Sequence, residues 1–181
     1  MSRINPVDRE TSNDRLRKTF DAIQKQHGVV PNMMRTMAHS PAVLDAYLAF
    51  GAALHRGLLP ASLQEQIALT VAEVNACDYC LSAHSALGRG AGLSGDEMVA
   101  NGDGRASDSP AAAALQFARA LLDRRGAVTE QDVARVRGAG FGDGEIAEII
   151  AHVGLNVFTN YFNRAVRTEI DFPLVTAGQL A

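Results

Sequence analysis

Apolar residues recur at three- and four-residue spacing along most of the chain, which is the period expected of helices that pack on a core. Most of these runs begin at a capping signal, and many end at glycine. With their caps, they predict helices over residues 14–28, 41–57, 62–74, 77–90, 94–102, 109–126, 129–138 and 143–167. Because no alternating pattern of strand length is found, we predict an all-α bundle of roughly eight helices.

Two of the helix boundaries bear on the chemistry. Ser62 and Glu65 have the spacing of a capping box, which would open the third predicted helix. Asn75 interrupts the apolar run after that helix, and we expect it to cap the helix that begins near Cys77. The best loop candidate is residues 101–109, which are rich in Gly, Asp and Ser.

Composition and charge narrow the class of protein. The chain has 181 residues, of which 47% are hydrophobic and 20% charged, as in ordinary globular domains. The net charge of −3 argues against nucleic acid as a partner, since such binders use a basic face. No apolar run approaches 18 residues, so no membrane contact is expected. The first residues lack an apolar leader, and we therefore expect a cytoplasmic protein.

The same features predict a single domain over residues 1–181. Its core spans about residues 11–167, where the helical periodicity lies. The remaining arm, residues 168–181, has few periodic features, and we expect it to be mobile or to lie on a neighbour.

The two cysteines, Cys77 and Cys80, lie three residues apart, and His84 follows four residues later. On a helix all three share one stripe, so the sulfurs meet across one turn next to the imidazole. Thiolates at a helix N-terminus or beside histidine have pKa values of about 3.5–7.5. This pattern indicates dithiol chemistry. Helix position favours the thiolate at Cys77, whereas the His84 neighbour favours Cys80.

Glu65 lies twelve residues before Cys77, on the preceding predicted helix. If the two helices form a hairpin around Asn75, its carboxylate reaches His84 and sets the tautomer and basicity of the imidazole. The competing interpretation is that Glu65 only completes the capping box with Ser62. Local sequence does not separate these two roles.

Glu65, Cys77, Cys80 and His84 together form the pattern Glu-x11-Cys-x2-Cys-x3-His, which resembles the AhpD-like, carboxymuconolactone decarboxylase superfamily, in its peroxidase-related branch. The segments GVVPNMMRTMAHSP and AGFGDGEIAEIIAHVGLNVFTNYFNRAVRTEIDFP resemble the longer members of that branch. The resemblance implies an all-helical bundle that assembles into dimers, trimers or hexamers. It also implies a thiol peroxidase that reduces alkyl hydroperoxides, without a bound cofactor, and is recycled by an external dithiol such as a lipoylated protein.

Carried over from the family, Cys80 attacks the peroxide and becomes a sulfenic acid, and Cys77 then condenses with it to a disulfide. His84 and Glu65 manage the proton. The chain departs from the pattern at Tyr79, where the well-studied member has a histidine that takes part in the proton relay. Two other functions compete with this one: a decarboxylase-type enzyme without thiol chemistry, and a non-enzymatic oligomer whose disulfide switches an interface.

Other polar and glycine patterns predict less specific roles. The glycines at 90, 92 and 95 match a dinucleotide-binding spacing but follow a helix, so they indicate helix caps. A zinc site is disfavoured, because the thiols and His84 lie on one helical face without a second ligand pair. Tyr79 and His152 are secondary pocket candidates, although a buried histidine with its hydrogen bonds satisfied is the simpler expectation for His152. Packing roles are expected for Met33, Met34, Met37, Asn156, Asn160 and Asn163.

Overall fold

The computed structural model describes residues 1–178, apart from the side chain of His27, as nine helices without a strand. These are α1 (Asp14–His27), α2 (Asn32–Met37), α3 (Pro41–His55), α4 (Ala61–Val74), α5 (Asp78–Gly90), α6 (Gly95–Gly102), α7 (Ser109–Asp123), α8 (Glu130–Gly138) and α9 (Asp143–Val166). The all-α prediction is confirmed. None of these helices combines the length and apolar composition needed to cross a bilayer.

Three predicted helix starts are confirmed by their hydrogen bonds. The Asn13 side chain accepts from the amide of Leu16 at 2.9 Å and opens α1. Ser94 caps α6 in the same way. Thr129 and Asp132 form the reciprocal capping box at the start of α8. These caps satisfy amide groups that have no partner inside the helix, which is why they locate helix starts well.

The capping box predicted at Ser62 is wrong. Helix α4 begins one residue earlier, after Pro60, and no side chain caps its first turn. Proline fixes its own φ near the helical value, so the helix starts directly behind it. Glu65 is therefore released from any capping role.

Helix α2 is the one helix in the described part of the chain that the apolar pattern did not predict. It has only six residues and follows Pro31, and a single short turn gives too little periodicity to detect. Its methionines Met33, Met34 and Met37 are buried in the core, as their packing role predicts. Helix α2 lies where it forms part of the wall around the cysteines.

Helix α4 runs through the centre of the domain and divides the core into two clusters. Leu69 and Ala72 pack with α1, α2 and α5, while Ile67 and Val71 pack with α7, α8 and α9. Ile67 and Val71 are fully buried. A helix that is covered on nearly every side is fixed in position, and α4 carries Glu65.

The described part of the C-terminal arm, residues 168–178, packs against its own helices instead of projecting from the domain. The Val175 amide donates to Ser82 Oγ at 2.9 Å, and the Ala177 amide donates to Asp78 Oδ1 at 2.9 Å. Phe172 places its ring edge-on to Tyr79. The arm thus anchors the start of α5. Residues 179–181, the end of the predicted arm, lie outside the described residues.

A carboxylate on α9 holds the loop between α3 and α4. Glu148 accepts the amide of Leu58 at 2.7 Å and that of Leu59 at 3.1 Å. We expect Glu148→Ala to lower the free energy of unfolding by about 1–3 kcal/mol, because two amides lose a charged acceptor. Urea unfolding measures the loss, with the exposed Glu10→Ala as control. Equal stability of the two variants would contradict this role.

Candidate active site

The turn between α4 and α5 places Cys77 at the start of α5. Asn75 ends α4 as its C-cap, contrary to the prediction that it caps the following helix. Ala76 then takes a left-handed conformation with φ of 48°, and the Cys77 amide returns to the Ala72 carbonyl at 2.9 Å. Cys77 itself is the N-cap of α5, and its sulfur accepts the amide of Cys80 at 3.3 Å. This position favours negative charge on sulfur.

Cys77 and Cys80 are joined by a disulfide, with their Cα atoms 5.3 Å apart. Both are almost completely covered, at 1% and 2% exposure. The chain is therefore described in its oxidised form, and reducing this bond takes up two electrons.

Glu65 and His84 face each other across the α4–α5 hairpin. Glu65 Oε2 lies 2.8 Å from His84 Nδ1, and about one fifth of each side chain is exposed. A carboxylate at Nδ1 places the hydrogen of the neutral imidazole there, which leaves Nε2 as the basic atom. It also stabilises the imidazolium when Nε2 takes up a proton. The arrangement therefore supplies a base and a conjugate acid.

Cys80, Glu65 and His84 all line one apolar cavity of about 250 Å³, which is called the thiol cavity here. Cys77 does not line it. The remaining wall is mostly apolar and comes mainly from α2, α3, α4, α5, α9 and the C-terminal arm. It includes Met33, Met34, Leu54, Ala68, Leu155 and Phe172. Such a lining suits a small substrate with a hydrocarbon part.

Tyr79 also lines the thiol cavity, but its hydroxyl is held in the structure. The amide of Met33 donates to Tyr79 Oη at 3.2 Å, and the side chain is 5% exposed. Burial raises the pKa of Tyr79 far above the ordinary value for tyrosine. A phenol that stays neutral cannot exchange protons as a histidine does, so Tyr79 positions α2 and closes the cavity.

His152 lies on α9 and lines the thiol cavity from the opposite side. It is 5% exposed, and its Nε2 has no hydrogen-bond partner among the described residues. The expectation of a fully satisfied buried histidine is therefore wrong for this atom. Burial lowers the pKa of His152 below its ordinary 6.5, so the ring is neutral at pH 7.

We expect this histidine to make the oxidised protein less stable in acid. Burial depresses the pKa of His152, and the histidines 55 and 84 lower it further, while Glu148 and Glu65 oppose the shift. The unfolded chain then binds more protons, so stability falls as pH drops through 6.5, by at most about 1.4 kcal/mol per pH unit.

Urea unfolding of the oxidised protein between pH 5 and pH 7.5 measures this effect without interference from thiol titration. The non-titrating variant His152→Gln should show a flatter pH dependence, whereas His39→Gln, at an exposed site, should follow the native chain. A slope unchanged in His152→Gln would show that other groups cause the acid sensitivity.

Asn163 on α9 is the site residue that the sequence interpretation missed. Its Nδ2 lies 3.4 Å from Cys80 Sγ and 3.2 Å from Met33 Sδ, and the side chain is 3% exposed. An amide N–H directed at a sulfur stabilises that sulfur as a thiolate. The signal available was the register of Asn163 with His152, Asn156 and Asn160, which places polar groups on one buried stripe of α9.

The other asparagines of this stripe have structural roles, as predicted. Asn156 Nδ2 donates to the His152 carbonyl at 2.9 Å. Asn160 Oδ1 accepts from Asn75 Nδ2 at 3.1 Å, which ties the turn before Cys77 to α9. Helix α9 therefore supports the turn before Cys77 through Asn160 and contacts Cys80 through Asn163.

Comparisons with known proteins agree with this architecture. Residues 41–123 match the model of the carboxymuconolactone decarboxylase family, and this range contains Glu65, both cysteines and His84. A search of curated proteins finds no match to the sequence.

Solved structures share the fold over nearly the whole chain. A peroxidase-related protein from Ralstonia eutropha JMP134, described as an alkylhydroperoxidase AhpD core, is 25% identical, with a TM-score of 0.86 over 94% of this chain and 92% of that one. A peroxidase-related protein from Silicibacter sp. TM1040 is 28% identical, with a TM-score of 0.77 over 98% and 96%. The debrominase Bmp8, in a variant bound to 2,3,4-tribromopyrrole, is 21% identical, with a TM-score of 0.78 over 93% and 91%, and shows the fold alone.

Proposed function

We propose that this chain, which has the AhpD-like fold and matches the carboxymuconolactone decarboxylase family over residues 41–123, is a thiol-dependent alkyl hydroperoxide reductase. The observation that carries the proposal is that Cys80, disulfide-bonded to Cys77, lines an apolar cavity together with the hydrogen-bonded pair Glu65 and His84. The pair supplies two electrons, the imidazole supplies a proton, and the cavity accepts the organic group.

The first step forms a sulfenic acid on Cys80. The Cys80 thiolate attacks one peroxide oxygen and the O–O bond breaks, so that sulfur is oxidised by two electrons and the peroxide is reduced. The departing alkoxide takes a proton from the His84 imidazolium and leaves as an alcohol. Asn163 supports this choice of cysteine, because its amide lies against Cys80 Sγ.

The second step closes the disulfide. The Cys77 thiol gives its proton to His84, and its sulfur attacks the sulfur of Cys80. His84 passes that proton to the departing hydroxyl group, which leaves as water. Cys77 is suited to this role because it lies at the N-cap of α5, one turn from Cys80. The product is the oxidised pair that the structure describes.

The cycle then requires an external dithiol, for which we propose a lipoyl group on a partner protein. No bound cofactor enters either step. We further propose that the enzyme works in the cytoplasm, where thiol reductants are abundant, and that it assembles as a homo-oligomer.

The test is steady-state consumption of cumene hydroperoxide by the purified chain with dihydrolipoamide as reductant. We expect one equivalent of lipoamide for each equivalent of alcohol formed. No consumption above the protein-free reaction would contradict the proposal.

The same assay separates the competing functions. A decarboxylase-type enzyme converts a lactone substrate equally well after both thiols are alkylated. A redox-switch oligomer reacts once with peroxide and then changes its size on a gel-filtration column, without turnover. A brominated pyrrole, the ligand class of the debrominase structure, serves as a comparison substrate. Faster turnover of this compound than of the hydroperoxide would identify it as the better substrate and contradict the proposal.

A further inference from the structure

The two cysteines lie on different pockets. Cys80 lines the thiol cavity, whereas Cys77 lines a second pocket of about 400 Å³. Tyr79 and Asn163 line both pockets and form the partition between them. Because both cysteines are nearly covered, a reagent reaches each of them through the pocket that it lines.

The second pocket, called the arginine pocket here, has three arginines in its lining, Arg3, Arg164 and Arg167. All three residues are exposed. None of the eight ion pairs found among the described residues includes them. Asp78 is the one carboxylate in the lining, and one of its oxygens already accepts the Ala177 amide. The pocket therefore has an excess of positive charge.

Two of the three arginines are held in place by backbone contacts. Arg164 Nη1 donates to the Asn75 carbonyl at 2.7 Å, and Arg3 Nη1 donates to the Ala165 carbonyl at 2.9 Å. Each guanidinium keeps further N–H groups for an anion. Thr168, which is 8% exposed, lines the same pocket, and its Oγ1 has no hydrogen-bond partner among the described residues. These unused donors mark the pocket as a binding site.

We propose that the arginine pocket binds a carboxylate of the reductant, carried either by the thiol itself or by the protein that bears the lipoyl group, and directs the thiol to the sulfur of Cys77, which makes this pocket the reductant site of the enzyme. The inference rests on the proposed function only in that the Cys77–Cys80 disulfide must be reduced in each cycle. Hydroperoxide and reductant then enter from opposite sides of the partition.

Attack at Cys77 is also the chemically favoured direction. The incoming thiolate forms a bond to Cys77 Sγ, the Cys77–Cys80 bond breaks, and Cys80 leaves as a thiolate stabilised by the Asn163 amide. A second thiolate attacks the sulfur of the bound reductant, which leaves as a disulfide and frees Cys77. Two thiols lose two electrons, and the protein disulfide gains them. The protons released by the two thiols pass to the two cysteines.

The test compares two reductants with the same dithiol and different charge. Dihydrolipoate carries a carboxylate, and dihydrolipoamide carries a neutral amide in its place. With the purified oxidised protein at low salt, we expect dihydrolipoate to reduce the disulfide about tenfold faster. The preference should fall toward unity in 0.5 M KCl, because the Debye length is then only a few ångströms.

Variants locate the preference in the pocket. The double variant Arg164→Gln with Arg167→Gln should lose most of the preference, measured as the ratio of its rates with dihydrolipoate and dihydrolipoamide. Arg125→Gln is the matched control. Arg125 is also exposed and forms no ion pair among the described residues, and its backbone is left-handed with φ of 52°, as at Arg167. Equal rates for both reductants in the native chain, or an undiminished preference in the double variant, would overturn the proposal.

A trapping experiment identifies the attacked sulfur. The oxidised protein is treated with one equivalent of mercaptosuccinate, quenched with acid, alkylated with iodoacetamide and sequenced by mass spectrometry. We expect the mercaptosuccinate on Cys77 and the alkyl group on Cys80, and the reverse assignment would contradict the proposal. Neither experiment contains peroxide, so both give the same answer whether or not the chain turns over hydroperoxides.

Discussion

Replacing Cys80 with serine should lower the steady-state rate of hydroperoxide consumption at least about a thousandfold. Cys80 lines the thiol cavity, and Asn163 Nδ2 lies 3.4 Å from its sulfur. A serine hydroxyl is a far weaker nucleophile near pH 7 and forms no sulfenic acid. The rate is measured with cumene hydroperoxide and dihydrolipoamide.

Cys77→Ser is the matched control for this substitution. Of the two cysteines, the first step needs only Cys80. This variant should therefore react with one equivalent of hydroperoxide and stop at the sulfenic acid, which dimedone labels on Cys80. Retained turnover in Cys80→Ser would show that the cysteine pair is not part of the reaction. Dimedone labelling of Cys77 in the Cys80→Ser variant, together with residual peroxide reaction, would exchange the roles of the two cysteines.

Glu65→Gln should lower kcat about a hundredfold and leave the KM for hydroperoxide nearly unchanged. Glutamine keeps the shape of the side chain but removes the charge that stabilises the imidazolium of His84, 2.8 Å away. Glu65 acts through His84 and contacts no reacting atom, so it is a positioning residue. Glu65→Asp should restore part of the rate, because it returns the charge at a greater distance.

Ser62→Ala is the control that separates the two roles considered for Glu65. Since Ser62 makes no capping bond to α4, its loss should change neither stability nor rate. If Ser62→Ala and Glu65→Gln instead had the same effect, Glu65 would act through the helix start. A KM that rises in Glu65→Gln with kcat unchanged would place the residue in substrate binding.

The sequence predicted helix boundaries correctly where the hydrogen bond that forms the boundary joins residues close together in the chain. Asn13, Ser94 and Thr129 each bond to an amide within three residues, so their helix starts can be identified from the sequence. Ser62 has the same spacing and failed, because Pro60 starts the helix first. Helix α2 was missed since six residues hold too little of the helical period.

For the candidate site too, local features could be predicted from the sequence and long-range contacts could not. The spacing of Cys77, Cys80 and His84 on one helix was readable because it lies within two turns. The contact of Asn163 with Cys80 joins residues 83 positions apart and depends on how α9 crosses α5. The two cysteines line different pockets because of the same packing of α9 on α5. This packing cannot be predicted from the local sequence pattern.

The most direct test of the central claim is a count of free thiols in the fully reduced chain before and after one equivalent of cumene hydroperoxide, with the intact mass measured in parallel. The account predicts that both thiols disappear, that the mass falls by two hydrogens and that one equivalent of alcohol forms, while Cys80→Ser keeps its remaining thiol. If both thiols survive the peroxide in the native chain, the cysteine pair is not a peroxidase centre and the proposed function is wrong.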